Sequence, residues 1–318
     1  MYRNLAIFLA VTLGYGWVGQ VQAEVAVEPD AVFETLLVGK SQIELQFSPA
    51  LTAAKRRNVR DWMERSAGVV AGYFGEFPVP AVTMLVIASD GDGVKSGTTF
   101  SDPELRIRVK IGIDTTPAMF LDDWILVHEM VHLAIPQVPR HQNWFHEGAA
   151  TYIEIVSRAN AGLSGADGGW AELIRNMDKG RPKAGDRGLD HTPTWGRTYW
   201  GGAIFCLLAD VELRKLSQNR LGLQDAMRAI VTGGGSYGVA WSLERTLRTA
   251  DQATGFDVLT RLHQRMKDSA AEPPLTALWA ELGVMEDGAE VVLRDEAPLA
   301  KIRDAIIGRR AAKEIGSK

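Results

Sequence analysis

His128-Glu129-Met130-Val131-His132 sets two imidazoles four residues apart, with a glutamate directly after the first. On a helix, positions i and i+4 share one face, so both rings can reach a single metal ion. Glu129 stands about 100° further round, where its carboxylate can accept a proton from an activated water instead of ligating. Zinc suits two neutral imidazoles, and a catalytic zinc needs a third protein ligand and an open position. A third histidine six residues on is excluded, because position 138 is valine. The next carboxylate is Glu147, 15 residues after His132, in Trp144-Phe145-His146-Glu147-Gly148. It opens a second predicted helix, and Pro136 and Pro139 turn the chain between the two. Glu147 is therefore the candidate third ligand. Glu154 lies two turns further along the same face; it is the candidate carboxylate that accepts from the ring nitrogen a histidine does not use for metal.

Other polar residues read differently. His141 and His146 flank the turn between the two helices and read as solvated or capping, and His263 as a surface helix residue. His191 and Arg197 fall in a Gly- and Pro-rich stretch as candidate substrate contacts, the arginine for a carboxylate. Asp90 and Asp92 lack an acid at the spacing of a calcium loop and read as a turn.

The elements that must position these residues follow from hydropathy patterning. Residues 32–47 read as two short strands around Gly39, and 52–74 as an amphipathic helix closed by Gly75 and Pro78. Val82 to Ala88 is an apolar strand, and Leu105 to Ile113 alternates apolar and basic residues as a half-exposed one. Thr116-Pro117 announces a helix running to about Ala134. A second spans about Glu147 to Arg158, and 160–198 reads as a long surface connection. Ala203 to Leu216 is apolar nearly all round and reads as buried. Four helices follow, near 222–231, 239–249, 256–268 and 274–282, with a hairpin around Asp287-Gly288 and a terminal helix near 297–307. Strands plus a helix first, then mostly helices, predicts an α+β fold. Its parts are 24–115, strands and a helix of a catalytic core; 116–216, the zinc-site helices and an active-site loop; and 217–318, a helical C-terminal region with a small hairpin.

Composition narrows the setting. Of 318 residues, 46% are hydrophobic and 23% charged, which is globular usage. A net charge of −4 offers no basic surplus for nucleic acid. A single cysteine, Cys206, excludes an intrachain disulfide framework and any multi-cysteine metal site. Residues 1–23 read as a signal peptide: Arg3, the apolar run Leu5 to Leu13, then Val21-Gln22-Ala23 with small residues at −3 and −1. Export to a periplasmic or extracellular space is expected, with no membrane attachment after cleavage.

HEMVH, WFHEGAATYIE and TYWGGAIFCLLADVELR together resemble the gluzincin metallopeptidases, in particular the branch of aminopeptidase N and glycyl aminopeptidase, across roughly residues 82–215. The resemblance implies a thermolysin-like core with one zinc, ligated by His128, His132 and Glu147, and Glu154 behind them. It gives Tyr199 the place of a tyrosine that stabilises the tetrahedral intermediate, with Gly201 where that element carries a lysine. It also implies an edge strand at Gly97, Thr98 and Thr99 that pairs with a peptide substrate. The acid that binds a free substrate amino terminus in aminopeptidases has no counterpart in Gly97-Thr98-Thr99-Phe100. The expected activity is a zinc-dependent peptidase acting on a peptide or protein, with Glu129 as general base. A zinc hydrolase of a non-peptide ester, amide or epoxide and a non-catalytic zinc protein are the alternatives on the same scaffold.

Overall fold

The computed structural model describes residues 30–308; the expected signal peptide lies outside the described residues. The chain is α+β, a five-stranded mixed sheet followed by helices. Strands β1 (Val32–Val38) and β2 (Ser41–Phe47) form an antiparallel hairpin closed by Val38 opposite Ser41, with Gly39 at φ +60°. Helix α1 (Ala53–Phe74) follows, its first turn held by Thr52, whose hydroxyl accepts from Lys55 N. Such a cap is worth about 1 kcal/mol. Strand β3 (Ala81–Ser89) runs parallel to β2, β5 (Arg106–Gly112) runs parallel to β3, and β4 (Val94–Phe100) returns antiparallel to β5. The order β1-β2-β3-β5-β4 leaves β4 on an open edge, as expected for Gly97 to Thr99.

One sheet face is apolar. Ile43, Leu45, Phe47, Val82, Met84, Val86, Ile107, Val109 and Ile111 are buried, while Arg106, Arg108 and Lys110 alternate onto the other face. Val59, Trp62, Met63 and Val70 of α1 join that core. Burying each such side chain contributes roughly 1.5–3 kcal/mol, so the sheet and α1 form the rigid floor beneath the metal helices.

The single helix expected from Pro117 to about Ala134 is two, α2 (Pro117–Leu121) and α3 (Ile125–His132). The Asp122-Asp123 pair divides them: Asp122 ends α2, and Asp123 Oδ2 accepts from Leu126 N at 3.1 Å to start α3. A 3₁₀ turn (Arg140–Gln142) leads into α4 (Asn143–Asn160), which begins one turn before Glu147. The expected surface connection 160–198 contains α5 (Gly165–Met177), with Trp170, Leu173 and Met177 buried. Glycines at 165, 168 and 169 depress intrinsic helix propensity and hide this helix from pattern reading. Packing overrides them: a Cβ on Gly169 would stand 2.7 Å from Ala159 Cβ of α4.

A π-helical turn (Arg197–Gly201) runs into α6 (Gly202–Leu216). Then come α7 (Leu223–Thr232), α8 (Leu243–Thr254), α9 (Val258–Met266) and α10 (Leu275–Leu282). Strands β6 (Val284–Asp287) and β7 (Glu290–Leu293) make the expected hairpin, and α11 (Ala300–Ile306) closes the described chain. Among the described residues no helix is long and apolar enough to cross a membrane.

Candidate metal centre

Helix α3 is buried almost all round: Leu126, Val127, Met130 and Val131 are each at most 1% exposed. Its histidines are therefore held by packing on every other face. Helix α4 packs beside it and carries Glu147 toward the same point. His128 Nε2 lies 3.4 Å and His132 Nε2 3.5 Å from Glu147 Oε2, and the three ligand atoms all lie within 4.8 Å of one another. These separations exceed those of good hydrogen bonds. Both Nδ1 atoms are buried without a partner among the described residues. Two imidazole nitrogens and one carboxylate oxygen, converging on a gap between them, suit one divalent ion such as zinc.

The electrostatics match that arrangement. Burial alone would raise the Glu147 pKa, yet His132 and His128 hold this carboxyl below its ordinary range. Burial likewise opposes charge on His128, but Glu147, Glu129 and Glu154 outweigh it and raise that pKa. The two histidines thus favour Glu147 as a carboxylate.

Glu129 stays outside the trio. Thr99 Oγ1 donates to it, 2.7 Å from Oε2 and 3.0 Å from its backbone oxygen. Thr99 is buried, and its hydroxyl positions Glu129. Gly97 explains how β4 comes so close: a Cβ there would stand 2.5 Å from Glu129 Cγ and 2.8 Å from Ile125 Cγ2. The Thr98 hydroxyl donates to the Gly97 carbonyl at 2.6 Å.

Tyr199 reaches the cluster through a backbone contact between helices. A Cβ on Gly202 would fall on the Trp144 carbonyl and Gly148 Cα, so α6 can lie directly against α4 only because both positions are glycine. The π-helical turn at the head of α6 then sets the Tyr199 ring 6.3 Å from His128, inclined by 23°. Burial and the charges of Glu147 and Glu129 raise its pKa, so the phenol keeps its proton. On the other flank His146 stacks on His132, centroids 4.3 Å apart and planes 10° apart. It is buried, and burial with the neighbouring His132 drives its pKa far down. The expected solvated or capping His146 is instead a neutral ring behind a ligand.

Four further expectations are corrected. Glu154 is buried but bonded to Arg158 Nη1 at 2.7 Å, one turn along α4, and not to a ligand histidine. Arg197 is only 3% exposed; it pairs with Asp186 at 2.9 Å and donates to the Gly180 carbonyl at 2.7 Å, so it cannot meet a substrate carboxylate. His191 stands 2.8 Å from Asp268 on the wall of an open surface pocket of about 510 Å³, which none of the metal-cluster residues lines. His263, expected on the surface, is buried against Asp190.

Tyr237 is a neighbour of the cluster that sequence patterning does not single out. Its ring lies 5.0 Å from His146 and 6.4 Å from His132. The available signal is a lone aromatic in Gly233-Gly234-Gly235-Ser236-Tyr237-Gly238, since functional side chains concentrate on such loops.

No protein-family model and no curated protein matches the chain. Solved structures do. An aminopeptidase N family protein from Idiomarina loihiensis superposes with a TM-score of 0.60 at 18% identity, over 80% of this chain and 50% of that one. A zinc metallopeptidase of the M1 group from Deinococcus radiodurans gives 0.50 at 15% identity, over 77% and 53%. The chain thus spans about half the length of the proteins it resembles. At such identities the likeness is one of architecture: this chain has the α+β fold found in aminopeptidase N family metallopeptidases.

Proposed function

We propose that the chain is an exported zinc-dependent peptidase. The observation that carries this reading is the division of labour around α3. His128, His132 and Glu147 converge within 4.8 Å, while Glu129 is held apart by Thr99 and faces the edge strand. A structural zinc is normally closed by four protein ligands and needs no such base. Both the aminopeptidase N family protein and the M1 zinc metallopeptidase share this fold, which favours a peptide as substrate.

His128, His132 and Glu147 would hold one zinc ion, which would supply a Lewis acid for the scissile carbonyl and acidify a water. The protein does the rest. The open edge of β4 offers its backbone to an extended peptide. Thr99 fixes the Glu129 carboxylate, which takes the proton of the attacking water and delivers it to the departing amine. Tyr199 donates to the carbonyl oxygen as negative charge develops there. No acid stands in Gly97 to Phe100 to bind a free amino terminus, so substrates with blocked amino termini are cleaved.

Turnover of a mixed peptide library with and without chelator tests the reading, alongside Glu129→Gln. The wild type should cleave only without chelator. The variant should keep its fold and zinc yet lose nearly all turnover, because an amide cannot take the proton. Substantial cleavage by zinc-loaded Glu129→Gln removes this base. Comparing free and acetylated forms of one cleaved peptide tests the amino-terminal claim, and a strict need for the free amine rejects it.

A further inference from the structure

We propose that Tyr237 is a substrate-positioning residue, whose phenol hydrogen-bonds a backbone carbonyl of the bound peptide on the His132 side of the cleft. The proposal rests on the peptidase reading and assigns the C-terminal region a part in the site. Tyr199 flanks His128; Tyr237 flanks His132 and His146. One tyrosine therefore stands beside each of the two ligand histidines.

Tyr237 is carried by a loop between α7 and α8 that is fastened to the end of the metal helix. Its backbone N donates to the Leu133 carbonyl at 3.1 Å. Two residues on, the Val239 carbonyl accepts from Gln137 N at 2.9 Å, and Trp241 N donates to the Gln137 carbonyl at 3.0 Å. The Gln137 side-chain amide closes the arrangement, reaching the Tyr237 carbonyl at 2.8 Å and Ser101 Oγ at 2.6 Å. Ser101 is the residue after β4. One glutamine thus ties the metal helix, the substrate-pairing edge strand and the Tyr237 loop together, and a peptide extended along β4 passes toward the phenol at that end.

The hydroxyl is free to act. The ring is half-buried, and the phenol has no hydrogen-bond partner among the described residues. Burial and the charges of Glu147 and Glu129 raise its pKa, so it remains a donor through neutral pH. Because the phenol is ready before any charge develops, it grips the bound substrate and the transition state alike. Its loss should appear in KM, whereas loss of the Tyr199 hydroxyl should appear in kcat.

The test uses the mature full-length chain loaded with cobalt(II), whose visible spectrum reports binding without turnover. It is titrated with acetohydroxamate, which reaches only the metal, and with a peptidyl hydroxamate. In Tyr237→Phe the peptidyl probe should weaken by about 3- to 10-fold, the worth of one hydrogen bond. Acetohydroxamate should stay within about 2-fold, because that probe lacks the peptide. Zinc-loaded Tyr237→Phe should show a matching rise in KM at near-constant kcat. An unchanged peptidyl preference in the variant, or equal loss for both probes, overturns the proposal while the peptidase reading stands. A wild type that shows no preference for the peptidyl probe and cleaves no peptide overturns the peptidase reading itself.

Discussion

Two buried clusters of carboxylate and imidazole flank the N-terminal end of α4, and they differ in how completely their polar atoms are used. At Asp190 the indole of Trp144 donates at 2.7 Å, the amide of Gln142 at 2.9 Å, and His263 lies 3.4 Å from both oxygens. Those three partners hold the Asp190 pKa down to about 2 against the burial that would raise it. At Glu147 the two imidazole nitrogens and the Asn143 amide, 3.4 to 3.5 Å away, are too far for good hydrogen bonds, the Tyr199 phenol reaches the same carboxylate, and both remote ring nitrogens are unmatched. Indole and amide N–H groups can only donate, so the Asp190 cluster is saturated by protein. Imidazole nitrogens carry lone pairs, so the Glu147 cluster can turn three electron-pair donors toward one cation. The first is a staple joining α4, the 178–201 segment and α9; the second is a site.

The largest difference should appear in metal content. Wild-type protein should carry about one zinc per chain. Glu147→Ala should lose nearly all of it after dialysis against a mild chelator, and Asp190→Ala should retain it. Elemental analysis of both variants decides the matter, and a zinc-loaded Glu147→Ala would remove the distinction between the two clusters.

Stability should rank them the other way. Asp190→Ala strips the acceptor from the buried Trp144 indole and the half-buried Gln142 amide, removes the partner of His263, and should cost about 3 kcal/mol in chemical denaturation. The sign with pH is fixed by a depressed carboxyl. The stabilisation is fully present above about 4, the ordinary carboxyl value, and is lost as the pH falls through about 2. Wild type and Asp190→Asn should therefore converge in stability as the medium is acidified below pH 4. A constant gap down to pH 2 would mean that Asp190 is not held as a carboxylate.

The same contrast explains which features are legible in the sequence. The metal cluster is legible because its spacing is local: His128 and His132 are one helical turn apart, and Glu147 is the next carboxylate in the chain. The hairpin at Gly39, α1 and the alternation of β5 are equally local and match the expectation. The Asp190 cluster draws partners from 46 to 73 positions away from Asp190, Trp144 and His263 among them, and no periodicity marks such a set. His263 reads as a surface residue for that reason. Helix α5 is hidden by its glycines, and Tyr237 by the 105 residues that separate it from His132. Arg197 misleads because a lone arginine in a polar stretch does not announce its partner, Asp186.

His146 gives the sharpest small test of the idea that the metal cluster is left open. It precedes Glu147 and stacks on His132. Its Nε2 is buried without a partner among the described residues. Were that nitrogen to turn inward as a fourth ligand, the ion would be closed by protein, like a structural zinc, and the catalytic reading would lose its open position. The geometry argues against it. The ring is parallel to His132, behind it, and pinned through the Ile135 backbone, and it is not part of the converging trio. His146→Asn should therefore leave zinc affinity within about 3-fold, because no coordinating bond is removed, and should lower stability by about 1 kcal/mol through the smaller side chain. Competition with a fluorescent zinc chelator measures the first, and a denaturation midpoint the second. An affinity loss of about 100-fold or more, the scale of a lost ligand or of its immediate support, would make His146 part of the coordination and the site a closed one.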